Sequence, residues 1–178
     1  MRRRLVFRQA VPFSILLHMV DERLLHGQVV AGWGRRLGIG FYVVVDDGIT
    51  ECEWERELYA SALPADTDVY FLTVAETIRR LPELEARRDA GILLTADTVA
   101  MRRLAEAGVL AGHAVNLGGL HSAPGRERLL DYVYLSASET EDVRVIGDLA
   151  ASVSARDLPG SPEVGLERLL RSVERARR

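Results

Sequence analysis

Lysine is missing from this chain: all 23 basic residues are arginine. Its absence removes the P-loop lysine, the Schiff-base lysine and the lysine of receiver domains from the possible mechanisms. Cysteine is almost missing as well. The lone Cys52 can close no intramolecular disulfide and build no Cys-rich zinc site, which suits a reducing cytosol. No basic cluster adjoins it, so a reactive thiolate is not expected. No apolar run reaches the roughly 20 residues of a membrane helix. The basic start and later apolar stretch look like a signal peptide, but Arg8 and Gln9 interrupt the run and no small-residue cleavage site follows. The formal net charge is −3, so no global basic field recruits nucleic acid. None of the histidines has ligand spacing, and neither a metal nor another cofactor is expected.

What the chain does have is apolar content and rhythm. With 178 residues, 48% of them hydrophobic, it can bury one sizeable core, and no shift in composition marks a second domain. Residues 1–11 read as an N-terminal extension and 12–178 as a single domain. Apolar runs at Phe13 to Val20, Gly40 to Val45, Asp68 to Thr73, Gly91 to Thr95 and His113 to Leu117 read as strands. Between them lie helical patterns at Val29 to Leu37, Glu51 to Leu63, Ala75 to Arg88 with a break at Pro82, and a fourth capped by Asp97 and ended by Gly108. Past Gly125 come a short strand at Tyr132 to Leu135, a capped helix at Ser138 to Ala151, an edge strand at Ser152 to Leu158 and a last helix at Glu163 to Ala176. Its terminal arginines read as solvated. Sustained alternation of this kind implies an α/β fold, a mostly parallel open sheet of about seven strands with helices on both faces.

The stretch from Val20 to Trp33, VDERLLHGQVVAGW, stands out. It reads as a strand end, a charged loop and a helix start, and ligands of open α/β sheets collect at such places. An imidazole side chain is in general largely neutral near pH 7, so a ring nitrogen such as one on His26 can attack phosphorus and later leave. Phosphoryl transfer asks the protein mainly for positioning and positive charge. Gly27 lets the backbone come close, and the N–H groups of Gly27, Gln28 and Val29 would face phosphate oxygens. Arg23 could clamp those oxygens, and Asp21 could hold Arg23 or fix the imidazole tautomer.

These residues resemble the IIB subunit of the mannose/fructose/sorbose family of the bacterial sugar phosphotransferase system. The likeness rests on DERLLHGQV with Trp33 following, on Asp47 after the second strand, on the Ala62-Leu63-Pro64 helix end, and on VNLGGLHSAPG from Val115 to Gly125. It covers nearly everything after residue 12. It implies that His26 accepts a phosphoryl group from a IIA protein and passes it to a sugar held by a membrane IIC/IID permease. The chain would then be a cytoplasmic protein-histidine phosphotransferase, associated with the membrane only through its permease. The family usually has a basic residue where this chain has Met19, which implies weaker charge stabilisation or altered docking.

Other candidates are weaker. Asp47 reads chiefly as a cap and, by resemblance, as a lining residue. Trp33 faces the core or the site rim. Asn116 is either a site contact or a buried structural amide. Gly118 and Gly119, at a strand end, could form another pocket wall, although they lack dinucleotide-fingerprint spacing. His121 could lie near His26 and shuttle a proton or bind phosphate, but a bystander role is the expectation. Two other functions stay open: a regulatory phosphohistidine protein of an incomplete phosphotransferase system, and an unrelated α/β nucleotide-binding enzyme. A homo-oligomer is also open.

Overall fold

The computed structural model of the chain describes residues 14–176. The extension expected over residues 1–11, the strand start at Phe13 and the last two arginines lie outside the described residues. The core of the fold is the strand β1 (Ile15–Asp21), which is central in a seven-stranded sheet. After it, residues Gln28–Gly34 wind as a π-helix that tightens into α1 (Arg35–Leu37), and Gly38 closes it at φ +65. Then follow β2 (Ile39–Val45), α2 (Glu53–Ser61), β3 (Asp68–Leu72), α3 (Val74–Glu85), β4 (Ala90–Thr95), α4 (Thr98–Glu106) and β5 (Ala114–Gly119). The last third holds β6 (Glu127–Leu130), β7 (Val133–Leu135), α5 (Ala137–Leu149), β8 (Ser152–Ala155), β9 (Val164–Gly165) and α6 (Leu166–Ala176).

The sheet order is β3-β2-β4-β1-β5-β8-β9. The pairs from β3 to β8 are parallel, and β9 closes the edge antiparallel to β8. Alternation along β2 shows how two faces are made. Phe41, Val43 and Val45 enter one apolar cluster with Leu84, Met101, Leu104, Val143, Ile146 and Leu169 from α3 to α6. Tyr42 and Val44 enter another with Val29 and Trp33 from the helix after β1. Strands covered on both faces must be apolar throughout, which is why they read as continuous runs.

Three expectations need correction, and one strand is additional to them. Pro82 does not interrupt α3, which runs through it. A proline costs one backbone bond there, to the carbonyl four residues back, and that residue, Ile78, lies on the helix's exposed flank. The segment Ser152–Ala155 is not an edge strand, because β9 covers it. The last helix starts at Leu166 rather than Glu163, since Val164 and Gly165 are spent on that pairing. The strand β6 was not foreseen: ERLL carries no β-branched or aromatic residue, and only its pairing with β7 makes it a strand.

Connectivity places the functional end. From β1 the chain crosses β4 to reach β2, whereas from β5 it leaves in the opposite direction towards β8. Two connections that diverge from neighbouring strands leave a crevice at their carboxyl ends. The loop after β1 and the loop after β5 flank it.

Candidate active site

The loop after β1 is held rigidly. Leu24 adopts φ +51, a left-handed conformation that costs a non-glycine residue about 1–2 kcal/mol. Burial of Leu24 and Leu25, at 3% and 4% exposure, offsets it. The N–H of Leu24 donates to the Asp21 carbonyl at 2.9 Å. His26 therefore leaves the loop from a fixed backbone.

Asp21 and His26 face each other. Nε2 of His26 lies 3.0 Å from Oδ2 of Asp21, whose side chain is 3% exposed, while the imidazole is 16% exposed. A carboxylate accepts, so Nε2 carries the proton and the free lone pair lies on Nδ1. Oδ1 of Asp21 accepts the Arg23 N–H at 3.0 Å and lies 3.6 Å from its Nε. Asp21 thus contacts both the imidazole and Arg23. The far end of the Arg23 guanidinium donates to the Gln28 side-chain carbonyl at 2.6 Å. That bond keeps a half-exposed cation beside the helix start.

His26 sits just ahead of the π-helix, whose N-cap is Gly27 and whose first amides receive no side-chain cap. The leading N–H groups of a helix have no partner within it. A Cβ added at Gly27 would meet nothing within 4 Å, so the approach to these amides is open. Unpaired amides, a neighbouring guanidinium and a free Nδ1 together suit an anion bonded to the ring. π-Helical winding is rare and concentrates at functional sites.

The glycine pair of β5 belongs to this site through Asp21. The register slips between Val20 and Asp21, so that Val20 faces Leu117 and Asp21 faces Gly119. A Cβ at Gly119 would lie 3.2 to 3.4 Å from the Asp21 carboxylate, and one at Gly118 would lie 2.8 Å from the Met19 sulfur and 3.1 Å from Oδ2 of Asp21. The bare backbone makes room for the buried carboxylate. Met19 is fully buried beside it, as part of the apolar cluster under the loop, so this position presents no surface to a partner.

The other candidates make their contacts outside the His26–Asp21 pair. Trp33 is in the core at 7% exposure, and its indole N–H donates to the Asp157 carbonyl at 3.2 Å. Asn116 donates its amide to the Arg156 carbonyl at 2.9 Å, which makes it a structural tie between β5 and the turn after β8. Asp47 stands at the end of β2, with β4 between it and β1. There it accepts the Val74 N–H at 2.9 Å and pairs with Arg103 at 2.7 Å. The Arg103 hydrogen bond, seconded by Val74, holds its carboxyl below the usual range. His121 is on the β5 loop with Nδ1 3.0 Å from Oε2 of Glu22.

Two residues beside the site are not among the sequence candidates. Glu22 accepts the His121 N–H at 3.0 Å, and its other oxygen accepts from Arg126. Burial alone would raise the Glu22 carboxyl, but the bonds from His121 and Arg126 outweigh it and hold the group below its ordinary value. Glu22 sits inside the recognisable DER triplet; Arg126, 104 positions on, follows an unremarkable Pro-Gly turn.

A cleft of about 690 Å³ lies between the β6–β7 hairpin and the turn after β8, walled by residues such as Tyr132, Asp157 and Val164, none from the His26 loop. His26 lies outside this cleft, its imidazole 16% exposed. No group of His, Cys, Asp and Glu among the described residues has the arrangement of a metal site. No helix among them is long and apolar enough to cross a membrane.

Known proteins repeat this architecture. Residues 15–177 match the model of the PTS system sorbose subfamily IIB component. The chain is 30% identical to the N-acetylgalactosamine-specific phosphotransferase enzyme IIB component 1 of Escherichia coli K12, over 83% of this chain and 92% of that protein. It is 22% identical to the mannose-specific EIIAB component of the same strain, over 89% of this chain and 49% of that longer protein. Among solved structures, the E. coli N-acetylgalactosamine-specific IIB component 1 superposes with a TM-score of 0.78 at 28% identity, covering 84% of this chain and 97% of that one. A manxB protein from Thermoanaerobacter tengcongensis does so with a TM-score of 0.80 at 22% identity, covering 90% and 96%. The sheet order, the histidine loop at its divide and a match along nearly the whole described chain agree: this protein belongs to the sorbose subfamily of phosphotransferase system IIB components, a family of phosphotransferases.

Proposed function

We propose that His26 is the phosphoryl carrier of this chain and that Nδ1 is the atom that carries it. The observation behind this reading is the 3.0 Å contact of Nε2 with the buried Asp21, which leaves Nδ1 as the nucleophile at an uncapped helix start. In the first step the N–P bond of a phosphohistidine on a IIA protein breaks and the Nδ1–P bond forms. The ring, still protonated at Nε2, gains positive character that Asp21 offsets. Arg23 and the amides of Gly27, Gln28 and Val29 bind the oxygens in flight. In the second step the Nδ1–P bond breaks towards a sugar hydroxyl held by IIC/IID membrane subunits, and the hydroxyl proton leaves to solvent. The likeness to a relative named as an EIIAB component supports a IIA protein as donor. Transfer takes place at the cytoplasmic face of the membrane and uses no cofactor.

The test is labelling by a phosphorylated IIA protein. An acid-labile, alkali-stable adduct is expected, lost in His26→Ala and retained in His121→Ala. Phosphorus NMR of the adduct in ¹⁵N-histidine-labelled protein is expected to show coupling to Nδ1. Absence of an adduct in the wild type would end the proposal, and coupling to Nε2 would end the assignment of the atom.

A further inference from the structure

Two consecutive carboxylates, Asp21 and Glu22, stand at the root of the His26 loop, and each holds an imidazole. A phosphoryl group on His26 adds nearly two negative charges a few residues away. Uncompensated carboxylates would oppose it. Asp21 has Arg23 as counter-charge; the counter-charge of Glu22 comes from Arg126, far along the chain.

We propose that Arg126 is a positioning residue for phosphoryl transfer: by neutralising Glu22 and tying the loops after β1 and β5 together, it keeps the crevice around His26 receptive to an anion. The inference rests on His26 as the phosphoryl acceptor. The Arg126 side chain, 14% exposed, spreads its donors over three segments. One terminal nitrogen donates to Glu22 and to the His121 carbonyl, the latter at 2.8 Å. Nε donates to both Glu139 oxygens at 3.1 and 2.9 Å, and the other terminal nitrogen reaches Glu139 too. Glu139 is the capping-box partner of Ser136, accepting the Ser136 N–H at 2.8 Å, so the start of α5 shares in stabilising its charge. Arg126 is divided between Glu139, its main partner, and Glu22, and it is the one guanidinium bonded to Glu22 among the described residues. Glu22 relays the constraint, with one oxygen on the His121 N–H and ring and its own N–H on the Gly119 carbonyl at 2.9 Å. A lysine could not reproduce this, because its single ammonium lacks the planar fork that spans two carboxylates and a carbonyl.

Phosphoramidate tests this without a protein partner: its N–P bond breaks, ammonia leaves and the His26 N–P bond forms. Wild type, Arg126→Ala, Glu22→Gln and the double variant are compared by rate of labelling, with thermal melting to confirm folding. Arg126→Ala is expected to be slower by about tenfold, and the double variant to recover most of that loss, since the unpaired charge has gone. The loss should also shrink as salt rises, because an exposed Glu22 charge is screened and a purely structural defect is not. Arg126→Lys should fall between wild type and Arg126→Ala; if alanine disrupts the fold, the same comparison is made with lysine in both Glu22 backgrounds. A labelled wild type with an undiminished Arg126→Ala rate overturns this inference alone. So does a loss that neither Glu22→Gln nor salt relieves. An unlabelled wild type removes the reading of His26, and this inference with it.

Discussion

Acidification should loosen the fold through His18, on the strand that carries the site but away from the site itself. His18 is 1% exposed, its Nε2 meets no hydrogen-bond partner among the described residues, and its ring centroid lies 4.5 Å from that of His113. Burial, assisted by His113, lowers its pKa from 6.5 to about 3. A histidine depressed in the folded state stabilises the fold fully above its unfolded value, and that stability drains away as the pH falls below 6.5 towards 3. Linkage across that gap gives a loss of about 2 kcal/mol at pH 5 and about 3 kcal/mol at pH 4. His113 adds to the trend, since burial lowers its pKa too, against the opposing pull of Glu85. Urea denaturation of wild type and His18→Leu from about pH 7.5 to 4 isolates His18, because the variant keeps every other titrating group. The wild type should lose about 2 kcal/mol against the variant by pH 5. A constant difference between the two curves would refute the reasoning.

Other predictions concern packing and the site. Gly119→Ala should displace the Asp21 carboxylate, which a methyl would meet at 3.2 Å. Labelling of His26 should slow by about tenfold while the melting temperature changes little, and an unchanged rate would remove the glycine from the site. Asp142→Ala should cost about 1–3 kcal/mol in urea denaturation, because the fully buried Thr98 hydroxyl, which donates to Asp142 at 2.7 Å, loses its acceptor. The paired change with Thr98→Val should cost less than the sum. Thr73→Ala should cost about 1 kcal/mol by removing the capping box of α3, in which Thr73 accepts the Glu76 N–H at 3.1 Å. A loss below experimental error would show that α3 is held by packing alone.

Much of the site was legible because its parts are adjacent. The apolar run into Asp21, the turn residues and the helical spacing after Gly27 place His26 between a strand and a helix start, and local chemistry does the rest. What was illegible depends on which strands became neighbours. Gly118 and Gly119 read as permitting close approach in a pocket wall, and what approaches them is the Asp21 carboxylate on β1. Asn116 and Trp33 each read either as a site residue or as a buried one, and each donates to a carbonyl in the turn after β8. No local pattern announces that turn as a partner. Leu24 adopts a conformation that glycine or asparagine would have signalled, and its buried side chain and the bond from its N–H to the Asp21 carbonyl hold it there.

Composition and periodicity by themselves determined an α/β fold with a histidine loop at a strand end, because strand and helix periods are properties of consecutive residues. Tertiary structure alone decided that β5 lies beside β1, that Asp21 is buried against bare glycine backbone, and that Arg126 reaches Glu22 from 104 residues away. The reason is physical: charge compensation and close approach act through space, and a sequence does not record distances between segments until the sheet has brought them together.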